Sequence, residues 1–252
     1  MRLVTARSGP SVWACNPNAL VPVARPRLLD LFCGAGGAGM GYYRAGFDVV
    51  GVDLVHQPHY PFEFHQADAL DFPLDGFDVI HASPPCQRYS NLRHAAETKG
   101  RDAPDLVVPV RELLERTGLP WVMENVPGAP LNACVILCGS MFELGAGERQ
   151  LRRHRLFETS FAMLQPECRH VGEAIGVYGG GPVGRYTFGN GAKKDYYHRR
   201  GGYQGTVAEK AEAMGIDWMN AAEMNQAIPP AYTEWIGTQL LAALAAVGGG
   251  DQ

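Results

Sequence analysis

Residues 28–46 read LLDLFCGAGGAGMGYYRAG, and the fold turns on how they are read. Leu28 to Phe32 form an apolar run broken only by Asp30, the pattern of a strand buried on both faces. The glycines that follow predict a sharp turn into a helix, with Gly46 as its stop. Working outward, FDVVGVD is a second strand ending in an acid, FEFHQAD a third and FDVIHA a fourth. DLVVPVRELLERTG has helical spacing and stops at Gly118, PWVMENV is a fifth strand, and RLFETSF is one more. IPPAYTEWIGTQLLAALAAV reads as a closing helix opened by Pro230 and ended by glycines. Strands alternating with helices imply an α/β fold, a mostly parallel sheet with helices on both sides.

The chain has 252 residues, and its apolar and charged fractions are those of a globular protein. Its net charge of -4 means that any nucleic-acid binding must come from a local basic patch. Six scattered cysteines and no secretory signal favour a reducing cytoplasm. No apolar run approaches the roughly 20 residues of a membrane span. Residues 1–26 hold four prolines and no periodicity, so an irregular N-terminal arm is expected.

Three strand ends carry chemistry. The glycine turn lets backbone approach a ligand, and Asp53 ends the next strand where a carboxylate accepts from ribose hydroxyls. Asp68 ends the third strand on the same edge. The turn lacks the Lys-Ser/Thr of a phosphate-binding loop, which argues against a nucleoside triphosphate. Two prolines after the fourth strand stop any ladder, so Cys86 of SPPCQRYS opens an irregular loop. Cys86 has no Cys or His at close metal spacing, and a structural thiol is the plain alternative. Glu124 at the tip of the fifth strand makes a nucleophile the better reading: such a pair suits a ring attacked at one atom and protonated at another.

LLDLFCGAGGAGMG, SPPCQRYS, MENV, RRHRLFE and QAIPPAYTEWIG stand in the order and approximate spacing of the DNA cytosine-5 methyltransferases. The chain resembles that family from about Arg27 to Leu244, apart from a variable part. The resemblance implies a Rossmann-like S-adenosylmethionine-dependent methyltransferase fold with a short inserted target-recognition region. It implies methyl transfer to C5 of a cytosine swung out of double-stranded DNA, as in restriction-modification. Cys86 resembles the nucleophile that attacks C6, Glu124 the acid at N3 and the exocyclic amine, and Arg153 and Arg155 the arginines that clamp the pocket. Phe32 resembles the ring over the cofactor adenine, with Gly34, Gly36 and Gly37 in the turn. Asp53 resembles the ribose carboxylate and Asp68 the acceptor of the adenine amine, with Pro85 and Gln226 as further cofactor candidates. That chemistry needs Glu124 protonated by burial, and the Cys86 thiol lowered by backbone N–H groups and nearby arginines.

Residues 160–215 occupy the place of the family's target reader, with the catalytic domain at 27–159 and 216–247. GRYTFGNGAKKDYYHRRGGYQG supplies Arg185, Lys193, Lys194, Arg199 and Arg200, interleaved with tyrosines, as DNA contacts; Gln87 and Ser90 join them from the Cys86 loop. So small a reader predicts a recognition site of about two to four base pairs. Gln150 falls one residue before the position the family pattern gives it, and Asn225-Gln226 stands where the family has Gly-Asn. Cys134, Cys138, Cys168 and His170 can be grouped as a zinc set; the favoured reading is that Cys134 and Cys138 bury a wall of the sheet and that no metal binds. The expected protein is a monomeric bacterial or phage enzyme of the cytoplasm, without a membrane or an obligate protein partner. Two other readings are a transfer-RNA cytosine methyltransferase and a catalytically idle DNA-binding homologue.

Overall fold

β1 (Arg27–Leu31) runs through the centre of the molecule, with Leu28, Leu29, Asp30 and Leu31 all fully buried. The computed structural model describes residues 24–89, 104–178 and 203–248, with only the backbone at 185–187, 193–195 and 247–248. Most of the expected N-terminal arm, residues 1–23, lies outside the described residues. After β1 the chain runs α1 (Gly37–Ala45), β2 (Asp48–Asp53), β3 (Glu63–Gln66), β4 (Val79–Ala82), α2 (Val107–Thr117) and β5 (Trp121–Asn125). β6 (Val135–Leu137), β7 (Gly145–Ala146), β8 (Arg149–Leu151) and β9 (Arg155–Thr159) follow. Then come β10 (Ala174–Gly176), β11 (Arg185–Thr187), β12 (Lys193–Asp195) and β13 (Tyr203–Gln204). Three helices close the fold: α3 (Val207–Met214), α4 (Ala221–Gln226) and α5 (Pro230–Gly248).

The main sheet has the order β3-β2-β1-β4-β5-β9-β6. β1 to β5 are parallel, and β9 enters antiparallel to β5, pairing Glu124 with Phe157. The strand order reverses between β1 and β4, so the crevice beyond their carboxyl ends is the natural ligand site of such a sheet. The glycine turn leaves β1 there, and the Cys86 loop leaves β4 beside it.

α2 buries Val107, Val110 and Leu114 against one face of the sheet, a stripe at helical spacing. α1 and α5 cover the other face, where Tyr42, Tyr232, Ile236 and Leu240 join the core. Their contact is backbone-close because glycines form it: a Cβ on Gly41 would sit 2.0 Å from Thr233 Oγ1 and 2.1 Å from the Pro230 carbonyl oxygen. The Thr233 hydroxyl uses that closeness to donate to the Ala38 carbonyl at 2.8 Å.

Residues read as an inserted lobe or long loops contribute to a second sheet, β13-β10-β8-β7. Its core gathers Ala146, Leu151, Ile175 and Val177 with Met214, Ile216 and Met224 of the helical segment. This sheet therefore starts at Gly145, before residue 160, because β7 and β8 pair into it. β11 and β12 form a separate antiparallel pair, with Tyr186 opposite Lys194.

Gly41→Ala should lower stability by about 3 kcal/mol through overpacking, read as a shift in denaturant midpoint. Gly118→Ala serves as the control, because nothing lies within 4 Å and only the left-handed φ of 68° opposes a side chain; it should cost about 1 kcal/mol.

Candidate active site

The glycine turn is held from below. Asp53 at the end of β2 accepts from the Gly34 amide through Oδ2 at 3.0 Å and from the Val55 amide through Oδ1 at 2.9 Å. Phe32 is forced to a positive φ of 57°, a conformation costly for a bulky side chain, and the turn continues through Gly34 at 50° and Gly36 at 83°. The three glycines differ in what they face. A Cβ on Gly34 would meet nothing within 4 Å, whereas one on Gly36 would strike Pro61 at 2.8 Å and one on Gly37 the Ile228 carbonyl at 2.4 Å. Gly34 alone presents open backbone; Gly36 and Gly37 let protein pack against the turn. Asp68 is exposed at the neighbouring strand end, its Oδ1 accepting from the Leu70 amide at 2.9 Å. Pro85 is half-buried, and Gln226 is exposed at the end of α4, next to the Ala227 that abuts Gly37. An open glycine, a flanking aromatic ring and carboxylates at successive strand ends fit a nucleoside-bearing cofactor such as S-adenosylmethionine. Trp218, which belongs to none of the motifs, donates to the Ala35 carbonyl at 2.9 Å and clamps the turn.

Asp30 lies beneath this turn, fully buried, with Oδ1 unpartnered and Oδ2 3.4 Å from the Tyr60 hydroxyl. Burial pushes its carboxyl up from 3.8 to about 7, with the nearby Asp53 charge adding to the rise.

Cys86, Glu124 and Arg155 come together on the adjoining strand tips. Asn125 of β5 donates through Nδ2 to the Pro84 carbonyl at 3.0 Å and so fixes the Cys86 loop against β5. Glu124 is buried, and Arg155 Nε lies 3.0 Å from its Oε1. Burial raises the Glu124 carboxyl above its ordinary value against the pull of Arg155 and Arg153, as the sequence reading required. The Cys86 thiol departs from that reading: burial, then the Glu124 charge, raise it, and Arg155 and Arg153 do not offset them. A buried sulfur beside a carboxylate stays protonated for that reason.

Behind Glu124 runs a chain of polar groups that no motif announced. Ser83 hydrogen-bonds Glu124, His81 Nε2 lies 2.9 Å from Ser83 Oγ, and Tyr42 Oη lies 3.0 Å from His81 Nδ1. Burial lowers His81 to about 3, so the imidazole is neutral and carries one proton. With Tyr42 donating to Nδ1, that proton sits on Nε2 and goes to Ser83, whose own proton is free for Glu124; the tautomer is assigned from this donor order.

Arg153, read as a partner of Arg155 in the pocket, lies near enough for its charge to act on both Glu124 and Cys86. Its guanidinium donates to the carbonyls of Val177 at 2.6 Å and Asn225 at 2.8 Å, which ties the small sheet to α4. Gln150, set aside on spacing, accepts from the Val171 amide at 2.8 Å and anchors the loop after β9. Gln87 is exposed on the Cys86 loop. Arg185 lies on β11 and Lys193 and Lys194 on β12, while Ser90, Arg199 and Arg200 fall outside the described residues. The zinc grouping made on paper is corrected: Cys138, Cys168 and His170 do converge, but His154 stands where Cys134 was placed. The antiparallel β6–β9 register, invisible in the sequence, makes the difference.

The fold is that of the Rossmann-like methyltransferases. Residues 26–132 match the family model described as C-5 cytosine-specific DNA methylase. It is 30% identical over 126 residues to the type II methyltransferase M.XorII of Xanthomonas oryzae pv. oryzae, a stretch covering 42% of this chain and 29% of that protein. It is 28% identical over 121 residues to the type II methyltransferase M.HgiGI of Herpetosiphon aurantiacus, covering 42% of this chain and 94% of that one. Among solved structures it resembles a candidate DNA modification methyltransferase encoded within an E. coli prophage, at TM-score 0.58, 15% identity and coverage of 87% and 99%. It also resembles the S. pombe Dnmt2 methyltransferase, at TM-score 0.54, 13% identity and coverage of 87% and 99%. Among the described residues no helix is long and apolar enough to cross a membrane.

Arg155→Ala leaves the Glu124 carboxylate buried without its counter-charge and should cost about 3–5 kcal/mol of stability. Adding Glu124→Gln removes the stranded charge and should restore most of that loss in the same denaturation experiment. Asp30→Asn tests the other buried acid. In the parent, the folded state holds the Asp30 proton more tightly than the unfolded state does, so stability falls as pH rises from 3.8 to about 7. The variant should lack that component, so its advantage over the parent should widen across this window and level off above it, as followed by denaturation at a series of pH values.

Proposed function

We propose that this chain transfers a methyl group from S-adenosylmethionine to C5 of cytosine in double-stranded DNA, through a covalent adduct between Cys86 Sγ and C6. The observation that carries the reading is the placement of Cys86 and Glu124 on adjacent strand tips, the thiol within the field of the carboxylate, with Arg155 paired to that carboxylate. The match of residues 26–132 to the C-5 cytosine-specific DNA methylase model supports it.

On this reading Phe32, Gly34, Asp53 and Asp68 hold the cofactor, with Gly36, Gly37, Pro85 and Gln226 around them. When bound, S-adenosylmethionine supplies the electrophilic methyl group that C5 takes up. The protein's part is to make C5 a nucleophile. The Cys86 S–H bond breaks with its proton passing to solvent, Sγ forms a bond to C6, and the electron pair displaced from C5–C6 delocalises toward N3 and C5. Glu124, its carboxyl raised by burial, gives a proton or hydrogen bond to N3 and neutralises the charge that builds there. Arg155 holds the Glu124 carboxyl in place. After transfer a base removes the C5 proton, the C6–S bond breaks and the thiol is regenerated. A cytosine inside a duplex hides C5 and C6, so the base must leave the stack at a cost of a few kcal/mol. Arg185, Lys193, Lys194, Arg199 and Arg200, with Gln87 and Ser90, are proposed to hold the DNA backbone and read the site from residues 160–215.

The test is trapping. A duplex bearing 5-fluorocytosine cannot release the C5 substituent, so with the cofactor present the parent should form a denaturation-stable protein–DNA adduct. Cys86→Ser should form none and still bind the cofactor, and Glu124→Gln should slow adduct formation by about 10²–10⁴-fold. A transfer-RNA substrate run in parallel decides the nucleic acid: methylation of RNA without DNA would replace the substrate and leave the chemistry standing. Absence of an adduct on either, with cofactor bound, would leave only a binding protein.

A further inference from the structure

Away from the crevice, four side chains point their ligand atoms at one another. Cys138 Sγ, His154 Nε2, Cys168 Sγ and His170 Nε2 all lie within 4.8 Å of one another. We propose that these four residues bind one zinc ion, which locks the loop after β9 onto the main sheet and fixes the segment carrying Arg155.

The spacings carry the proposal. Zinc–sulfur bonds of about 2.3 Å and zinc–nitrogen bonds of about 2.0–2.1 Å at a tetrahedral angle place sulfur and nitrogen about 3.6 Å apart. The structure gives 3.4 Å for Cys138 to His170, 3.3 Å for Cys168 to His170 and 3.7 Å for Cys168 to His154. The two imidazole rings stand at 72° with centroids 5.2 Å apart, converging by their edges rather than stacking. Two thiolates and two imidazoles are a donor set for zinc, and four protein ligands leave no open position, so the site is structural. The Ser140 hydroxyl lies 3.4 Å from Cys138 Sγ and 3.5 Å from Cys168 Sγ, where it supports both sulfurs from outside the coordination sphere. As the ion binds, two S–H bonds give way to two S–Zn bonds and two protons pass to solvent.

The backbone explains both the convergence and the need for it. β6 and β9 are antiparallel with Leu137 opposite Arg155, so the next residues outward, Cys138 and His154, emerge side by side at the end of the ladder. Cys168 and His170 come over them from residues 160–173, which contain no helix or strand and leave Leu164 77% and Val171 65% exposed. Phe161 and Met163 pack on the core at the start of this stretch, and a metal would tie down the more exposed part that follows. His154 also stands between Arg153, which ties the small sheet to α4, and Arg155, which holds Glu124. Fixing its ring fixes the start of β9.

The experiment uses the full chain, expressed in zinc-supplemented medium and dialysed against metal-free buffer. Elemental analysis should find about one zinc per chain. Protein stripped of metal under reducing conditions and titrated with cobalt(II) should show the intense visible bands of a tetrahedral site and a thiolate-to-metal charge-transfer band, both lost on adding zinc. Cys168→Ser, at an exposed position, should lose the metal and the cobalt spectrum, whereas Cys134→Ser should keep both. A chelator should lower the melting temperature of the parent and leave that of Cys168→Ser unchanged. Substoichiometric zinc, an octahedral cobalt spectrum, equal metal in Cys168→Ser and the parent, or a Cys138–Cys168 disulfide in protein purified under reducing conditions would each overturn the assignment.

Discussion

A carboxyl group buried at a strand tip cannot ionise cheaply unless a cation is brought to it, and Arg155 meets that constraint for Glu124. Much of the architecture serves to deliver this one guanidinium. Arg155 opens β9, and β9 reaches Glu124 only because it enters the sheet antiparallel to β5, with Asn125 opposite Leu156. Behind β9, Arg111 of α2 grips Glu158 through two hydrogen bonds of 2.7 Å each, which sets the strand's position along its length. On the other side Tyr232 donates to the Arg153 carbonyl at 2.5 Å, so α5, the last helix, steadies the segment just before β9. The ion pair thus depends on elements from the middle and the end of the chain.

The same logic shows which parts of the fold the sequence made legible. β1, β2, β4 and β5 are almost wholly buried apolar runs between turn residues, and α1 and α2 end at Gly46 and Gly118, so local pattern sufficed. β6, β7 and β8 have two or three residues each, too few for a period to register. The direction of β9 is likewise absent from its composition, since an antiparallel strand buried on both faces reads like a parallel one. Register is a property of the assembled sheet. That is why Cys134 was grouped with Cys138 on spacing, while His154, next to Cys138 only across the β6–β9 ladder, was not.

At the crevice the motif residues stood out because of their types and order; their environments did not. The rise in the Cys86 thiol comes from burial and from Glu124, two facts about three-dimensional neighbours. The roles of Gly36 and Gly37 are a similar case: glycines after a strand suggest ligand contact, yet these two are spent on Tyr60, Pro61 and Ile228. Tyr42, His81 and Ser83 lie on an apolar helix face, inside a strand and at a strand end, where each looks like ordinary core or turn; only their alignment behind Glu124 makes them a chain.

The raised thiol and the raised carboxyl share one cause, burial at adjoining strand tips. Burial opposes the ionisation of both groups, and the Glu124 charge further opposes that of Cys86. When Glu124 carries a proton its charge disappears at Cys86, while the positive field of Arg155 remains and is no longer spent on a carboxylate. The thiol is then opposed by burial alone, with Arg155 and Arg153 pulling it down. Under the proposed chemistry these are the two states required together, an acid facing N3 and a nucleophile facing C6. Ser83 tunes this balance, since its hydrogen bond favours the ionised carboxylate and draws on a neutral His81 that burial prevents from charging. The fold therefore acts on the sulfur through burial first and through its charged neighbours second, and a motif alone could not have specified that.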